Sequence, residues 1–196
     1  MKEYLTDKIN NLPASATLTM AAKARELKNN GIDIIGLSLG EPDFNTPDFI
    51  KNSAIDAINQ NYNSYTPVDG YLELKEAICK KFHRDNKIIY NPNQIVVSTG
   101  AKQSIANVVQ ALIKPGEEVI LLAPFWVSYS AIVLMADGIP KILKSDVSND
   151  FKVSAKQIDD AISEKTKMII INSPNNPSGS IYNCLLYTSD AADEHS

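Results

Sequence analysis

Residues 94–103, QIVVSTGAKQ, join a short apolar run to a glycine turn and then to a helical pattern. The run Ile95–Val97 predicts a buried strand, and Ser98–Gly100 predicts a tight turn after it. A helix is expected from Ala101, because apolar side chains then recur at helical spacing. These apolar residues are Ile105, Val108, Val109 and Leu112.

A strand that turns through glycine into a helix creates a site for an anion. The first N–H groups of a helix have no partner within it, and the helix dipole favours negative charge there. Gly100 lets a phosphate approach the backbone, and Ser98, Thr99 and Lys102 add donors. The stretch therefore suits a phosphate cradle, although an ordinary strand–turn–helix is the commoner explanation when it is taken alone. It matches neither a P-loop nor a G-x-G-x-x-G loop, so it indicates no nucleotide.

The composition is typical of a soluble globular protein. Of 196 residues, 44% are apolar and 21% are charged, and no apolar run is long enough to span a membrane. Residues 1–18 contain no signal-peptide core, and the two cysteines form no disulfide framework, so we expect a cytoplasmic location. The net charge of −4, without a strong basic cluster, argues against a nucleic-acid partner. No metal site is expected.

The chain after the polar arm of residues 1–16 predicts an α/β fold. The expected helices are Thr17–Asn30, one that begins at Thr46-Pro47 with Thr46 as its N-cap, Leu72–Asn86, one from Ala101, Val127–Ala136 and Ala155–Ser163. The expected strands are Ile34–Leu39, Ile95–Val97, Val119–Ala123, Lys141–Leu143 and Lys167–Asn172. Strands alternate with helices from Gln94 onward, which predicts a mainly parallel sheet with ligands at the carboxyl ends of its strands.

Three loops follow three of the predicted strands, namely Ser98–Lys102, Pro124–Trp126 and Ser173–Gly179. In a parallel sheet these loops converge on one crevice, so an anion site, a large aromatic ring and several polar donors would face one ligand. That combination suits a flat, phosphorylated cofactor.

Five segments, in this order and spacing, resemble the class I aminotransferases, and the bacterial aspartate aminotransferase branch looks most similar. These enzymes use pyridoxal 5'-phosphate (PLP). The resemblance covers roughly Leu5 to Asn183. The segments are LSLGEPDFNTP (37–47), SYTPVDGYLELKEAI (64–78), VSTGAKQ (97–103), PGEEVILLAPFWVSY (115–129) and INSPNNPSG (171–179).

The resemblance implies an aspartate-aminotransferase-like α/β fold, truncated to its N-terminal half. The large domain of this fold has a mainly parallel sheet with helices on both faces. Residues 1–46 would form the N-terminal arm and part of the small domain. Residues 47–183 would form the first half of the PLP-binding large domain.

The resemblance also implies a cofactor site. Gly100, Ala101 and Lys102 match the loop whose backbone holds the PLP phosphate. Trp126 matches the aromatic that stacks on the pyridine ring, and Asn176 matches the asparagine that hydrogen-bonds the phenolic oxygen of the ring. Without the resemblance, a tryptophan after a strand is more often core and Asn176 would belong to a plain turn. Pro124 and Pro177 match positions that often carry cis bonds.

Further matches concern the substrate and the oligomer. Gly40 matches the residue whose N–H meets the α-carboxylate of the substrate, and Tyr65 matches a tyrosine that reaches the cofactor phosphate of a neighbouring subunit. A homodimer is therefore implied. Ser15, Thr17 and Lys102 match the set that receives the distal carboxylate of an acidic substrate, although Ser15 and Thr17 are equally suited to cap a helix.

The implied activity is transfer of an amino group, from aspartate or glutamate, to PLP and then to a 2-oxo acid. Two alternatives stay open: a PLP lyase or synthase with the same loops, and a non-catalytic protein that binds a phosphorylated ligand. The family's Schiff-base lysine, pyridine-binding acid and substrate-binding arginine lie downstream of Gly179. No lysine here matches the Schiff-base position, so we assign no catalytic residue and expect the 196-residue chain to be inactive and poorly folded.

The last residues break from the family pattern after Asn183. The run Cys184–Glu194, CLLYTSDAADE, resembles the in-frame translation of a transposase-type sequencing adaptor. We therefore interpret residues 184–196 as a non-native tail, and a natural divergent tail is the alternative.

Sequencing of the source locus with a long read across codons 175–200 tests this interpretation. We expect the frame to continue past Asn183 into a strand that bears Asp and Tyr, and then to a Schiff-base lysine. A read that returns Cys184–Ser196 followed by a stop codon would contradict the adaptor interpretation.

Overall fold

The computed structural model describes residues 4–37, 39–40 and 42–182, and these residues fall into two compact units. One unit comprises the described parts of Met1–Ser15 and Ala101–Ser196, and the other is Ala16–Gly100. These units differ from the domains expected from the resemblance, whose bounds stay a prediction. The tail of residues 184–196 lies outside the described residues.

The described residues form seven α-helices and three strands. The helices are α1 Asp7–Asn10, α2 Ala16–Asn29, α3 Asp48–Asn59, α4 Leu72–Lys81, α5 Ala101–Leu112, α6 Ser128–Met135 and α7 Ala155–Asp159. The strands are β1 Glu118–Leu122, β2 Ile139–Leu143 and β3 Thr166–Ile170. No helix in these ranges is both long enough and apolar enough to span a bilayer.

The three strands form a parallel sheet in the order β2-β1-β3, as the alternation of strands and helices predicts. In the pairing of β1 with β2, Glu118 lies opposite Ile139 and Leu122 lies opposite Leu143. The pairing of β1 with β3 has an irregularity between Glu118 and Val119. Because β1 is central, its carboxyl end lies beside those of both other strands.

Strand β1 is buried on both faces, which explains its continuous apolar sequence. Val119, Ile120 and Leu121 are 0% exposed. Side chains alternate along a strand, so Val119 and Leu121 pack with α5 and α6, whereas Ile120 and Leu122 pack with Val153 and the tyrosine at position 182.

Glu118 ties the three strands together at their amino ends. Its Oε2 accepts hydrogen bonds from Lys141 Nζ of β2 at 3.0 Å, from Ser163 Oγ at 2.8 Å and from Thr166 Oγ1 of β3 at 3.3 Å. The hydrogen bonds from Lys141 and Ser163 lower the pKa of the Glu118 carboxyl from its usual value. One carboxylate thus connects the strands near their amino ends, and the loops leave the sheet at its carboxyl end.

The helix predictions agree with the structure to within a few residues. Helices α2, α5 and α6 lie at the expected positions, and α7 ends at Asp159 rather than at Ser163. The predicted helix Leu72–Asn86 continues beyond α4 as a π-helix, Phe82–Asn86. Thr46 is not the N-cap of α3: Pro47 takes that position, and the helix begins at Asp48.

Two predicted strands are absent from the described residues. Neither Ile34–Leu37 nor Ile95–Val97 is assigned as a strand, although the backbone at Ile95 is extended. A strand exists only where a neighbour pairs with it, and the ladders of the described chain involve only β1, β2 and β3. Val97 instead donates its N–H to the Asp69 carbonyl at 3.0 Å.

The turn around Asp69 and Gly70 is locked against Val97 within the second unit. Lys75, which is 8% exposed, donates a hydrogen bond from its ammonium to the Asp69 carboxylate, and this bond lowers the pKa of Asp69. Gly70 has φ +103°, and a Cβ placed there would lie 2.5 Å from Val97 Cγ2. Only glycine fits this position, because both the backbone conformation and the contact exclude a side chain.

We expect Gly70→Ala to lower the free energy of unfolding of the full-length protein by about 2 kcal/mol or more, from strain at positive φ and overlap with Val97. Urea unfolding measures this change. Gly36→Ala is the control, because no atom of the part of the chain that the structure describes lies within 4 Å of a Cβ added at Gly36. Adding Val97→Ala should recover part of the loss, since the two sites are in contact. Equal stability of the Gly70 and Gly36 variants would contradict the close packing of Gly70 against Val97.

Candidate functional site

The candidate site lies at the carboxyl ends of β1 and β3, in the loops 123–127 and 171–179. The two strands are adjacent and parallel, so their loops leave the sheet side by side. Cis peptide bonds precede Pro124 and Pro177, as the resemblance implies, and also Pro174, which was not anticipated.

Asn175 connects the two loops. Its side-chain Nδ2 donates to the Pro124 carbonyl at 3.0 Å, across 51 positions of sequence. Its Oδ1 accepts hydrogen bonds from the backbone N–H of Ser178 at 3.1 Å and from Ser178 Oγ at 2.9 Å. The loop after β3 is therefore both closed on itself and attached to the loop after β1.

Trp126 is half-buried beside the first turn of α5. The Lys102 ammonium lies 5.0 Å from the centroid of the Trp126 ring, within the range of a cation–π contact. The Tyr129 ring meets the same indole edge-on, with centroids 5.5 Å apart. Burial raises the pKa of Tyr129. Lys102 and Trp126, which the resemblance assigns to one site, are thus in contact.

The turn before α5 has the shape that an anion site needs. Gly100, the last residue of the second unit, has φ +81°, and among the described residues no atom lies within 4 Å of a Cβ placed there. Its N–H donates to the Ser98 carbonyl at 2.8 Å, which closes the turn, and α5 begins at the next residue, Ala101. The start of α5 suits the phosphate of PLP, because the first N–H groups of a helix have no partner within it.

Asn176 is exposed in the loop after β3, and its backbone is held in place. The N–H of Asn176 donates to Asn172 Oδ1 at 2.9 Å. The first unit thus carries an exposed primary amide at Asn176, a half-buried indole at Trp126 and a helix start at Ala101, a set of groups that fits an aromatic cofactor with an acidic ring oxygen and a phosphate. The residues present therefore fit PLP.

The other predicted site residues divide between the two units. Thr17 lies in α2, and Gly40 and Tyr65 are exposed, Tyr65 at 107%. These three residues belong to the second unit, and Ser15 belongs to the first. Their placement around Trp126 stays a prediction.

Sequence reasoning missed Asn172, Asn175 and Tyr129. Asparagines in a run such as NSPNNPSG are expected to bond to nearby backbone, which is the signal for the contacts of Asn172. No local signal marks the bond from Asn175 to Pro124, because that bond depends on the adjacency of β1 and β3.

A family model described as aminotransferase class I and II matches residues 32–187. The chain belongs to this family. The aspartate aminotransferase of Bacillus sp. (strain YM-2) is 47% identical over 182 residues, which are 93% of this chain and 46% of that relative. The aspartate/prephenate aminotransferase of Nitrosomonas europaea is 48% identical over 178 residues, which are 91% and 45% of the two chains. The chain thus spans about half the length of the curated relatives it matches.

Solved structures show the same fold. The aspartate aminotransferase from Thermus thermophilus with maleate matches with a TM-score of 0.90 and 38% identity, over 93% of this chain and 48% of that one. The aspartate aminotransferase from Rhizobium meliloti matches with a TM-score of 0.88 and 40% identity, over 93% and 46% of the two chains. The chain therefore has the aspartate aminotransferase fold, as its sequence motifs imply.

Proposed function

We propose that this chain is the N-terminal half of a PLP-dependent aminotransferase that moves an amino group from aspartate or glutamate to a 2-oxo acid. The observation that carries the proposal is the contact of Lys102, in the first turn of α5, with the half-buried ring of Trp126. Membership of the aminotransferase class I and II family supports the same reading.

PLP, when bound, supplies an electron sink that stabilises negative charge at the α-carbon of the substrate. The backbone N–H groups at the start of α5, with Gly100 before it, would hold the phosphate group. The indole of Trp126 would cover one face of the pyridine ring and exclude water from it. The side-chain amide of Asn176 would donate to the phenolic oxygen of the ring and so favour its ionised form.

An acidic substrate is the second part of the proposal. The Thermus relative was solved with maleate, a four-carbon dicarboxylate. In this chain Ser15, Thr17 and Lys102 would receive the distal carboxylate, and the N–H of Gly40 would meet the α-carboxylate. The Lys102 ammonium supplies the positive charge in this set, so it would carry most of the preference for an acidic side chain.

The full-length protein is proposed to be a cytoplasmic homodimer. Tyr65 is fully exposed at 107%, which suits a side chain that reaches the cofactor phosphate of a neighbouring subunit. Within each subunit, residues 1–46 would belong to the arm and small domain, and residues 47–183 to the large domain.

The proposed function predicts that the full-length protein binds PLP and converts aspartate and 2-oxoglutarate to oxaloacetate and glutamate. Lys102→Met should raise KM for aspartate by about tenfold or more, the effect of losing a charge-assisted hydrogen bond, with a smaller change for alanine as donor. Steady-state kinetics with both donors, and titration of the apoprotein with PLP, measure the two effects.

Lys114→Met is the matched control, because Lys114 is an exposed lysine just past the other end of α5. Absence of transamination by the full-length protein would overturn the proposed activity. Transamination with an unchanged KM for aspartate in the Lys102 variant would overturn only the assignment of Lys102 to the distal carboxylate.

A further inference from the structure

We propose that Asn175 is a positioning residue, whose side-chain amide fixes the loop of Asn176 against the loop of Trp126. The inference rests on the proposed function, since it assigns these two loops to the PLP ring. The residue is distinct from Asn176, its neighbour, to which the resemblance assigns the ring contact.

The geometry shows why a side chain must make this connection. Residues 174–179 include two prolines, which have no N–H to donate. The four remaining backbone N–H groups already have acceptors in or next to the loop. The N–H of Asn175 donates to the Ser180 carbonyl at 2.9 Å, and that of Gly179 donates to the Asn175 carbonyl at 2.8 Å. The N–H of Asn176 donates to Asn172 Oδ1 at 2.9 Å, and that of Ser178 donates to Asn175 Oδ1 at 3.1 Å. Within residues 174–179, only a side chain is therefore left to donate to Pro124.

The Asn175 amide supplies both a donor for Pro124 and an acceptor for Ser178. Its Nδ2 donates to the Pro124 carbonyl at 3.0 Å while its Oδ1 accepts two bonds from Ser178. Aspartate has the acceptors without the donor, and serine has a single hydroxyl in place of a separate donor and acceptor. Asn175 and Pro124 are both half-buried, so water competes for their bond less than it does at the surface.

The hydrogen bond between Asn175 and Pro124 lies close in sequence to both residues assigned to the PLP ring. Pro124 lies two residues before Trp126, and Asn175 directly precedes Asn176. At the other side of the first loop, the Ala123 carbonyl accepts a hydrogen bond from Ser145 Oγ. The loop of Trp126 is thus held from two directions, and the Asn175 amide is its link to the loop of Asn176. Loss of that amide would let the two loops separate.

The experiment compares Asn175→Ala and Asn175→Asp with the wild type, all as full-length protein. Alanine removes the donor without adding charge, and aspartate removes the donor while it keeps the acceptor for Ser178. Ser178→Ala leaves the bond to Pro124 in place. Asn149→Asp is the matched control, because Asn149 Oδ1 accepts a local bond, from the Asp146 N–H at 3.1 Å.

The readouts are the dissociation constant for PLP, the circular dichroism of the bound cofactor's absorption band and the urea midpoint. We expect both Asn175 variants to bind PLP about tenfold more weakly, the effect of one neutral hydrogen bond in a partly shielded site, and to change the dichroism. Ser178→Ala and Asn149→Asp should keep the wild-type dichroism. The dichroism reports the orientation of the ring, which a loss of stability alone would not alter.

The outcomes separate the two proposals. Failure of the wild type to bind PLP would overturn the proposed function itself. PLP binding and dichroism like those of the wild type in Asn175→Asp would overturn the positioning role and leave Asn175 a residue that only closes its own turn. If Asn175→Ala does not fold, the Asn175→Asp variant decides alone.

Discussion

The burial of β1 on both faces is the constraint on which the rest of the first unit depends. Val119 and Leu121 anchor α5 and α6 on one face, and Ile120 and Leu122 pack with Val153 on the other. Since β1 is the middle strand, its carboxyl end fixes where the loop of Trp126 begins. This packing holds the indole of Trp126 beside the start of α5, where the Lys102 ammonium lies 5.0 Å from the ring centroid. The hydrogen bond from Asn175 to Pro124 then attaches the loop after β3 to the loop of Trp126.

The elements that the sequence predicts well are those whose signal is local. An apolar run such as Val119–Ala123 and the helical spacing after Ala101 each contain their own pattern, and both are close to the observed β1 and α5. Ile95–Val97 has an equally good strand pattern, but a strand also needs a partner, and the pattern contains no information about one. The Asn175–Pro124 bond escaped prediction for the same reason, because it is set by which strands are adjacent.

Apolar side chains are exposed at the flanks of the sheet, where Ile142 of β2 is 47% exposed and Ile169 of β3 is 36% exposed. The chain spans about half the length of its curated relatives, with 46% coverage of the Bacillus enzyme. We expect the remainder of the full-length protein to cover these flanks, since open edges of parallel sheets are normally covered.

A crystal structure of the full-length protein grown with PLP tests the central claim most directly. We expect the phosphate oxygens to accept hydrogen bonds from the backbone N–H groups at the start of α5, and the pyridine ring to stack on Trp126. A phosphate held elsewhere, or a ring that makes no contact with Trp126, would contradict it.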